Sequence, residues 1–181
     1  MTGLKLHLGC GPKHIPGFFH IDALDGDHVD HVGPVDRLDT FEDESVSLIY
    51  ASHLLEHFGR REYMDVLREW YRVIEPGGVL RLGVPDFAAC AKLYTEGKLD
   101  SIEQIRGLIC GGQKDEYDYH KMIFDRQSLH DALIEVGFSS TRLWDWRDTE
   151  HADLDDFTQA YIPHMAKDTG TLMSLNLEAV K

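Results

Sequence analysis

The sequence has few cysteines, no long hydrophobic run and few basic residues for its acidic content. No apolar stretch approaches the ~18 residues that a bilayer-spanning helix needs, so we expect no membrane association. Three cysteines, an odd number without metal-ligand spacing, indicate a reducing, cytoplasmic location. Strand-like residues begin within the first few positions, which leaves no room for a signal peptide. These features exclude a membrane protein and a disulfide-stabilised scaffold.

The charge is strongly acidic, with 18 basic and 32 acidic residues and a net charge of −14. Binding to nucleic acid depends on neutralising phosphates with Lys and Arg, so this balance argues against a nucleic-acid partner. Four arginines share one predicted helix, but acidic residues interleave with them, as on a solvated face: Arg60, Arg61, Arg68 and Arg72.

An apolar run from Leu4 to Leu8 ends abruptly in Gly9-Cys10-Gly11. Glycine allows positive φ and lets another molecule approach the backbone closely. A buried strand that ends in such a turn suggests a nucleotide-type cofactor at the carboxyl edge of a sheet. A dinucleotide site is disfavoured, because the third glycine of its fingerprint is missing and Asp22 follows too early.

Hydrophobic periodicity predicts an alternation of strands and helices along one domain, residues 1–181. The predicted strands are 4–8, 18–22, 28–33, 45–51, 79–84, 140–146 and 171–180. The predicted helices are 60–74, 87–94, 101–109 and 126–136, the last with Asp125 as its N-cap and Gly137 just past its end. We expect an exposed loop at 111–119, and at 147–170 an acidic connection that is either a lid or a plain solvated loop. The alternation indicates an α/β fold, a mostly parallel sheet with helices on both faces.

The connection between the first two strands is unusually short. Only ten residues separate Gly11 from Asp22, and residues 13–17 can form at most one helical turn. Other parts of the chain, or the partner subunit of a homodimer, must then cover that face of the sheet.

Several motifs occur in a characteristic order: Leu-Gly-Cys-Gly-Pro from Leu8, Ser-His-Leu-Leu-Glu-His-Phe from Ser52, Glu-Trp-Tyr-Arg-Val from Glu69, then Pro76-Gly77-Gly78 and Val84-Pro85-Asp86-Phe87. In these motifs the chain resembles the class I S-adenosylmethionine (SAM)-dependent methyltransferases, most closely a small bacterial branch of the methyltransferase type 11 kind. The resemblance implies a Rossmann-like, seven-stranded sheet with an antiparallel last strand, here with its first helix shortened. It also implies SAM as cofactor and S-adenosylhomocysteine as product.

The resemblance further implies which residues bind the cofactor. Asp22 would accept hydrogen bonds from the ribose diol, and the glycine turn would pass under the methionine and ribose portions. Cys10 would pack beside the cofactor as a small side chain, and a backbone N–H near Leu38 would read the adenine. The complete predicted set is Gly9, Cys10, Gly11, Asp22, Arg37, Leu38, Ser52 and His53.

Methyl transfer needs alignment of nucleophile, methyl and sulfur, and an oxygen nucleophile also needs a base. We predict His120 as this base, against a loop histidine without such a role, and His53 and Asp86 as further catalytic candidates. His53 could equally have a structural role. His57 lies four residues after His53, a spacing typical of metal ligands. No third ligand is evident in the sequence, so we predict no metal.

The predicted function is methyl transfer from SAM to a small-molecule or saccharide-type acceptor, at an oxygen. The alternative is a non-catalytic SAM- or nucleotide-binding module that serves a partner protein, which the exposed sheet face would favour. Propylamine transfer would keep the same fold, but the sequence has no paired acids to bind a polyamine.

Overall fold

The computed structural model describes residues 3–181, and its centre is a seven-stranded sheet of order β3-β2-β1-β4-β5-β9-β6. The strands of this sheet are β1 (Leu4–Leu8), β2 (Phe19–Asp22), β3 (His31–Val32), β4 (Val46–Ser52), β5 (Ile74–Pro85), β6 (Ser140–Leu143) and β9 (Ser174–Val180). The first five are parallel, whereas β9 runs antiparallel to both β5 and β6. The predicted Rossmann-like sheet with an antiparallel last strand is confirmed.

Four helices follow the predicted order: α1 (Tyr63–Val73), α2 (Phe87–Thr95), α3 (Glu103–Cys110) and α4 (Arg126–Val136). The predicted cap of α4 is present, since the Asp125 carboxylate accepts from the Ser128 amide at 2.8 Å and Gly137 has φ 125°. Helix α1 starts later than predicted, because residues 60–62 form a turn. No helix within residues 3–181 has the length and apolar character to cross a membrane.

The strand boundaries correct the sequence analysis at four places. Strand β5 begins at Ile74, directly after α1, so Pro76-Gly77-Gly78 lies within the strand and does not terminate the helix. The predicted strand 28–33 shrinks to β3, and 140–146 ends at Leu143. The last strand begins at Ser174, because Thr171–Leu172 (β8) pairs instead with Tyr161–Ile162 (β7). Periodicity alone could not reveal this separate two-stranded pairing.

One face of the sheet packs against α1 and α4 and forms the main core. Its strand residues include Leu6, Leu8 and Ile49, all fully buried. Trp70 of α1 is also fully buried, and its indole N–H donates to the Val35 carbonyl at 2.8 Å. The helix therefore fixes the connection that follows β3.

The opposite face lacks the usual first helix and is covered by residues 144–158. Residues 12–17 form only turns, as predicted. Tyr50 of β4 is fully buried there, with its hydroxyl bonded to Asp156 and its ring 4.5 Å from that of His151. The Trp144 indole donates to the Leu82 carbonyl at 3.0 Å. The prediction of helices on both faces is thus wrong for this face, which the chain's own acidic connection covers.

Candidate functional site

The carboxyl ends of β1, β2, β4 and β5 meet at one edge of the sheet, where α/β proteins bind their ligands. Gly9 and Gly11 both adopt positive φ, 60° and 50°. A Cβ at Gly9 would lie 2.6 Å from Cδ1 of Leu54, whereas a Cβ at Gly11 would meet nothing within 4 Å. The turn therefore packs tightly against the protein at Gly9 and faces open space at Gly11, which suits close approach of a cofactor.

The Asp22 carboxylate connects β2 to this glycine turn. One oxygen accepts from the Gly11 amide at 2.8 Å, and the other accepts from the Leu24 amide at 2.9 Å. Each oxygen keeps a further lone pair for a hydroxyl donor. The structure thus places Asp22 beside the open side of the turn. That Asp22 binds the ribose stays a prediction.

Cys10 is buried within the turn. Burial, reinforced by the negative charge of Asp22, raises the pKa of its thiol to about 12. The thiol therefore stays protonated at neutral pH, and only a thiolate is an effective nucleophile. This environment suits a packing role beside the cofactor.

The segment after β3 was predicted to contact adenine through a backbone N–H near Leu38, and the structure differs from this prediction at the Leu38 amide. The Leu38 amide donates to a Glu69 carboxylate oxygen at 2.7 Å, so it is not available to read an adenine ring. Arg72 holds this arrangement by binding Glu69 and the carbonyls of Leu38 and Phe41. The exposed Arg37 is the remaining candidate in this segment.

Ser52 and His53 lie where β4 ends. The Ser52 hydroxyl is buried without a hydrogen-bond partner. His53 has φ 50°, its Nε2 lies 3.0 Å from Ser174 Oγ, and its ring stacks on Phe157 with centroids 5.4 Å apart. Burial, together with His120 and His57, lowers the pKa of His53 to about 3. The imidazole is therefore neutral across the physiological pH range.

His120 lies beside His57 and Leu108. Its Nδ1 is 2.9 Å from the Leu108 carbonyl, and its ring centroid is 4.8 Å from that of His57. Burial lowers the pKa of His120. The structure thus brings together two histidines that are widely separated in the sequence.

Glu56 lies between His53 and His120 and was not among the predicted site residues. Its carboxyl is fully buried, 3.5 Å from His53 Nδ1 and 3.9 Å from His120 Nε2. Neither oxygen has a hydrogen-bond partner. Burial raises its pKa to about 8. Glu56 belongs to the Ser-His-Leu-Leu-Glu-His-Phe motif that the sequence analysis identified. No neighbouring residue in the sequence indicated that its side chain is buried.

Asp86 has a different environment from the other catalytic candidates. One carboxylate oxygen caps α2, accepting from the amides of Ala88 at 2.9 Å and Ala89 at 3.2 Å. This contact accounts for an aspartate at the end of β5 without a catalytic role. The catalytic prediction for Asp86 thus has a competing structural explanation.

Residues 21–82 match the family model described as a methyltransferase domain. Solved structures share the fold at low identity. A SAM-dependent methyltransferase from Thermotoga maritima, named as a possible histamine N-methyltransferase, is 15% identical, with a TM-score of 0.62 over 99% of this chain and 82% of that one. The 1,6-didemethyltoxoflavin-N1-methyltransferase of Burkholderia thailandensis, which contains S-adenosylhomocysteine, is 13% identical, with a TM-score of 0.57 over 98% of this chain and 70% of that one. No curated protein matches the sequence.

The glycine turn, the sheet order and the matched segment together define a class I SAM-dependent methyltransferase fold. The family match covers residues 21–82, and the likeness of the whole chain to solved SAM-dependent methyltransferases is one of fold. The family match and the shared fold support SAM as the cofactor. The turn faces open space at Gly11, and the Asp22 carboxylate lies beside it.

Proposed function

We propose that this protein transfers the methyl group of SAM to an oxygen of a small-molecule or saccharide-type acceptor. The observation that carries the proposal is the glycine turn, held by Asp22 at the same sheet edge as the histidines that follow β4. When bound, the sulfonium supplies an activated methyl group. The protein must then align the acceptor and exclude water.

A cavity of about 320 Å³ adjoins this edge and supports a small acceptor. Its lining includes Leu108, Met173 and His164. Leu108 binds His120 through its carbonyl, and Met173 precedes Ser174, the hydrogen-bond partner of His53. Two residues that line the cavity, Leu108 and Met173, thus connect it to His120 and His53. Polar and apolar groups both line it, which suits a saccharide or a small polar ring.

His120 remains our candidate base. Its side chain is 8% exposed, and its Nε2 lies 3.9 Å from the buried Glu56 carboxyl. Changing His120 to Ala should leave SAM affinity intact and lower the turnover rate by ~10²-fold or more. Full turnover by this variant would rule out the assignment. One neighbour named above is a possible histamine N-methyltransferase and the other is an N1-methyltransferase, so the acceptor screen must contain amines as well as alcohols and phenols.

The test is calorimetric titration with SAM and S-adenosylhomocysteine. Wild type should bind both, and Asp22→Ala should abolish binding because the carboxylate is lost and the turn is released. Asp25→Ala is the matched control, since this exposed acid lies three residues away and its carboxylate, within residues 3–181, accepts a hydrogen bond only from the adjacent Gly26 amide. Failure of folded wild type to bind either ligand would refute the proposed function.

The alternative of a non-catalytic module loses its main support. That reading, like the proposed homodimer, drew on a sheet face left bare by the missing helix. Residues 144–158 cover this face from within the chain. A cytoplasmic location stays a prediction, and the three free cysteines fit it.

A further inference from the structure

Four side chains converge just beyond β4. Ligand atoms of Glu56, His57 and His120 all lie within 4.8 Å of one another. His53 adjoins them, with its Nδ1 3.5 Å from a Glu56 carboxylate oxygen. The hydrogen bonds around the four groups decide which of their atoms carry protons.

Two of the histidines have their tautomer set by backbone carbonyls. His57 Nδ1 lies 3.2 Å from the Tyr119 carbonyl, and His120 Nδ1 lies 2.9 Å from that of Leu108. A carbonyl only accepts, so both Nδ1 atoms carry the proton and both Nε2 atoms present lone pairs. Histidines that bind metals are oriented in the same way, with the second ring nitrogen donating to a carbonyl or carboxylate.

A chain of hydrogen bonds sets the third tautomer. Asn176 donates through Nδ2 to the Thr158 carbonyl at 2.9 Å, so its Oδ1 accepts from Ser174 Oγ at 2.8 Å. The Ser174 oxygen then accepts from His53 Nε2 at 3.0 Å. His53 Nδ1 is therefore left with a lone pair, directed toward Glu56.

As a carboxylate, Glu56 completes a set of acceptors that has no donor; as a neutral acid it would carry one proton, yet neither of its oxygens is hydrogen-bonded. Its carboxylate is fully buried, and neither oxygen has a hydrogen-bond partner. The only basic side chains within ion-pair distance, in the part of the chain that the structure describes, are His53 and His120. A buried carboxylate is costly unless a cation or donors offset it. A cation at the centre of the cluster would satisfy all of these groups together.

We propose that Glu56, His57 and His120 bind a zinc ion. Two imidazoles and one carboxylate form a ligand set that holds zinc with a fourth position open. Tetrahedral bonds of about 2.0–2.2 Å place ligand atoms roughly 3.4 Å apart. Glu56 Oε1 and His120 Nε2, now 3.9 Å apart, must therefore approach by roughly half an ångström, and the other pairs, which lie within 4.8 Å, by at most roughly 1.4 Å. This proposal replaces the prediction of no metal, because the fold supplies from a distant loop the ligand that the sequence around His57 lacked.

The position of the ion suggests its use. His57 and Glu56 directly follow the end of β4, at the edge that carries the glycine turn. Zinc there would bind an acceptor hydroxyl and favour its ionisation, as bound zinc does for water. This use rests on the proposed function and takes the place of His120 as the base, because an imidazole that binds zinc through Nε2 and donates from Nδ1 has no lone pair left for a proton. The metal site itself does not rest on that function.

The test uses Co²⁺, which gives visible absorption bands when a protein holds it in a four- or five-coordinate site. The full chain is first treated with a chelator and then titrated with Co²⁺, followed by Zn²⁺ as competitor. Wild type should bind one equivalent of Co²⁺, and Zn²⁺ should displace it. Glu56→Gln and His120→Gln should each weaken binding by roughly 100-fold, since a direct ligand matters at least as much as the groups that orient it. His164→Gln, at an exposed histidine, should match wild type.

A second readout does not depend on the spectrum. Zinc should raise the Tm of wild type and His164→Gln but not of the two ligand variants, because only the native site stabilises the fold on binding. Circular dichroism without metal checks that each variant is folded. Equal Co²⁺ binding by wild type and Glu56→Gln, or no binding by wild type, would overturn the proposal. SAM titration of the same samples separates the two hypotheses, since wild type that binds SAM but not Co²⁺ loses only the metal site.

Discussion

His7 is a buried histidine on the sheet face that lacks a helix, and replacing it with leucine should make the fold less sensitive to acid. Its ring is 2% exposed and lies 5.2 Å from the ring of Tyr50. Burial, reinforced by the nearby His20, His151 and His28, lowers its pKa to about 3. Its Nδ1 has no hydrogen-bond partner, so nothing favours the protonated form.

The direction of the pH dependence follows from which state, folded or unfolded, protonates His7 first. Below pH 6.5 the unfolded chain protonates His7, whereas the folded chain does not do so until about pH 3. Stability present at neutral pH is therefore lost as the pH falls through this window. Between pH 7 and pH 5, the two pKa values give a loss of about 2 kcal/mol from this residue. Leucine has nearly the same volume and no titrating group, so His7→Leu should remove that loss.

The assay is urea unfolding followed by tryptophan fluorescence, at pH 7 and at pH 5. Between these pH values, His7→Leu should lose about 2 kcal/mol less of its free energy of unfolding than wild type loses. His164→Gln, at an exposed position, should keep the wild-type difference. An unchanged loss in His7→Leu would show that His7 is not held neutral in the folded protein, and would refute the reasoning.

Substitutions at three further residues test other contacts. Tyr50→Phe removes the hydroxyl that binds Asp156, and it should lower the free energy of unfolding by ~1–3 kcal/mol in urea titrations. Arg72→Gln breaks charged hydrogen bonds that hold the Leu38 connection, so calorimetry should show weaker SAM binding with little change in turnover at saturation. Asp86→Ala should cost about 1 kcal/mol of stability, and Asp86→Ser should restore both stability and turnover if the carboxylate only caps α2. Loss of turnover in a stable Asp86→Ser would instead support a catalytic role.

Much of the fold could be read from local patterns. The glycine turn after β1, the succession of strands and helices along the chain and the caps of α4 depend on residues that are close in sequence. Turn geometry, helical periodicity and capping are short-range effects, so the residue pattern alone specifies them. Errors occurred where a strand met a competing partner, as at β8, which pairs with β7 rather than extending β9.

The candidate site was predicted only in part. Asp22 and the histidines were recognised as residue types at the ends of strands, where ligands bind. The occupied amide of Leu38 was not foreseen, because its partner Glu69 comes from a helix that packs against this connection. Asp86 was selected for its position, and only the structure showed that its carboxylate caps a helix.

By itself, the sequence determined the class of fold, the glycine turn and the shortened first crossover, because each depends on neighbouring residues and their steric preferences. The tertiary structure alone decided that residues 144–158 cover the bare face and that Glu56 is buried among three histidines. Burial and proton position depend on groups that chain folding brings together from distant segments. No periodicity around Glu56 encodes the approach of His120, so the chemistry of this cluster emerges only when the sheet edge is assembled.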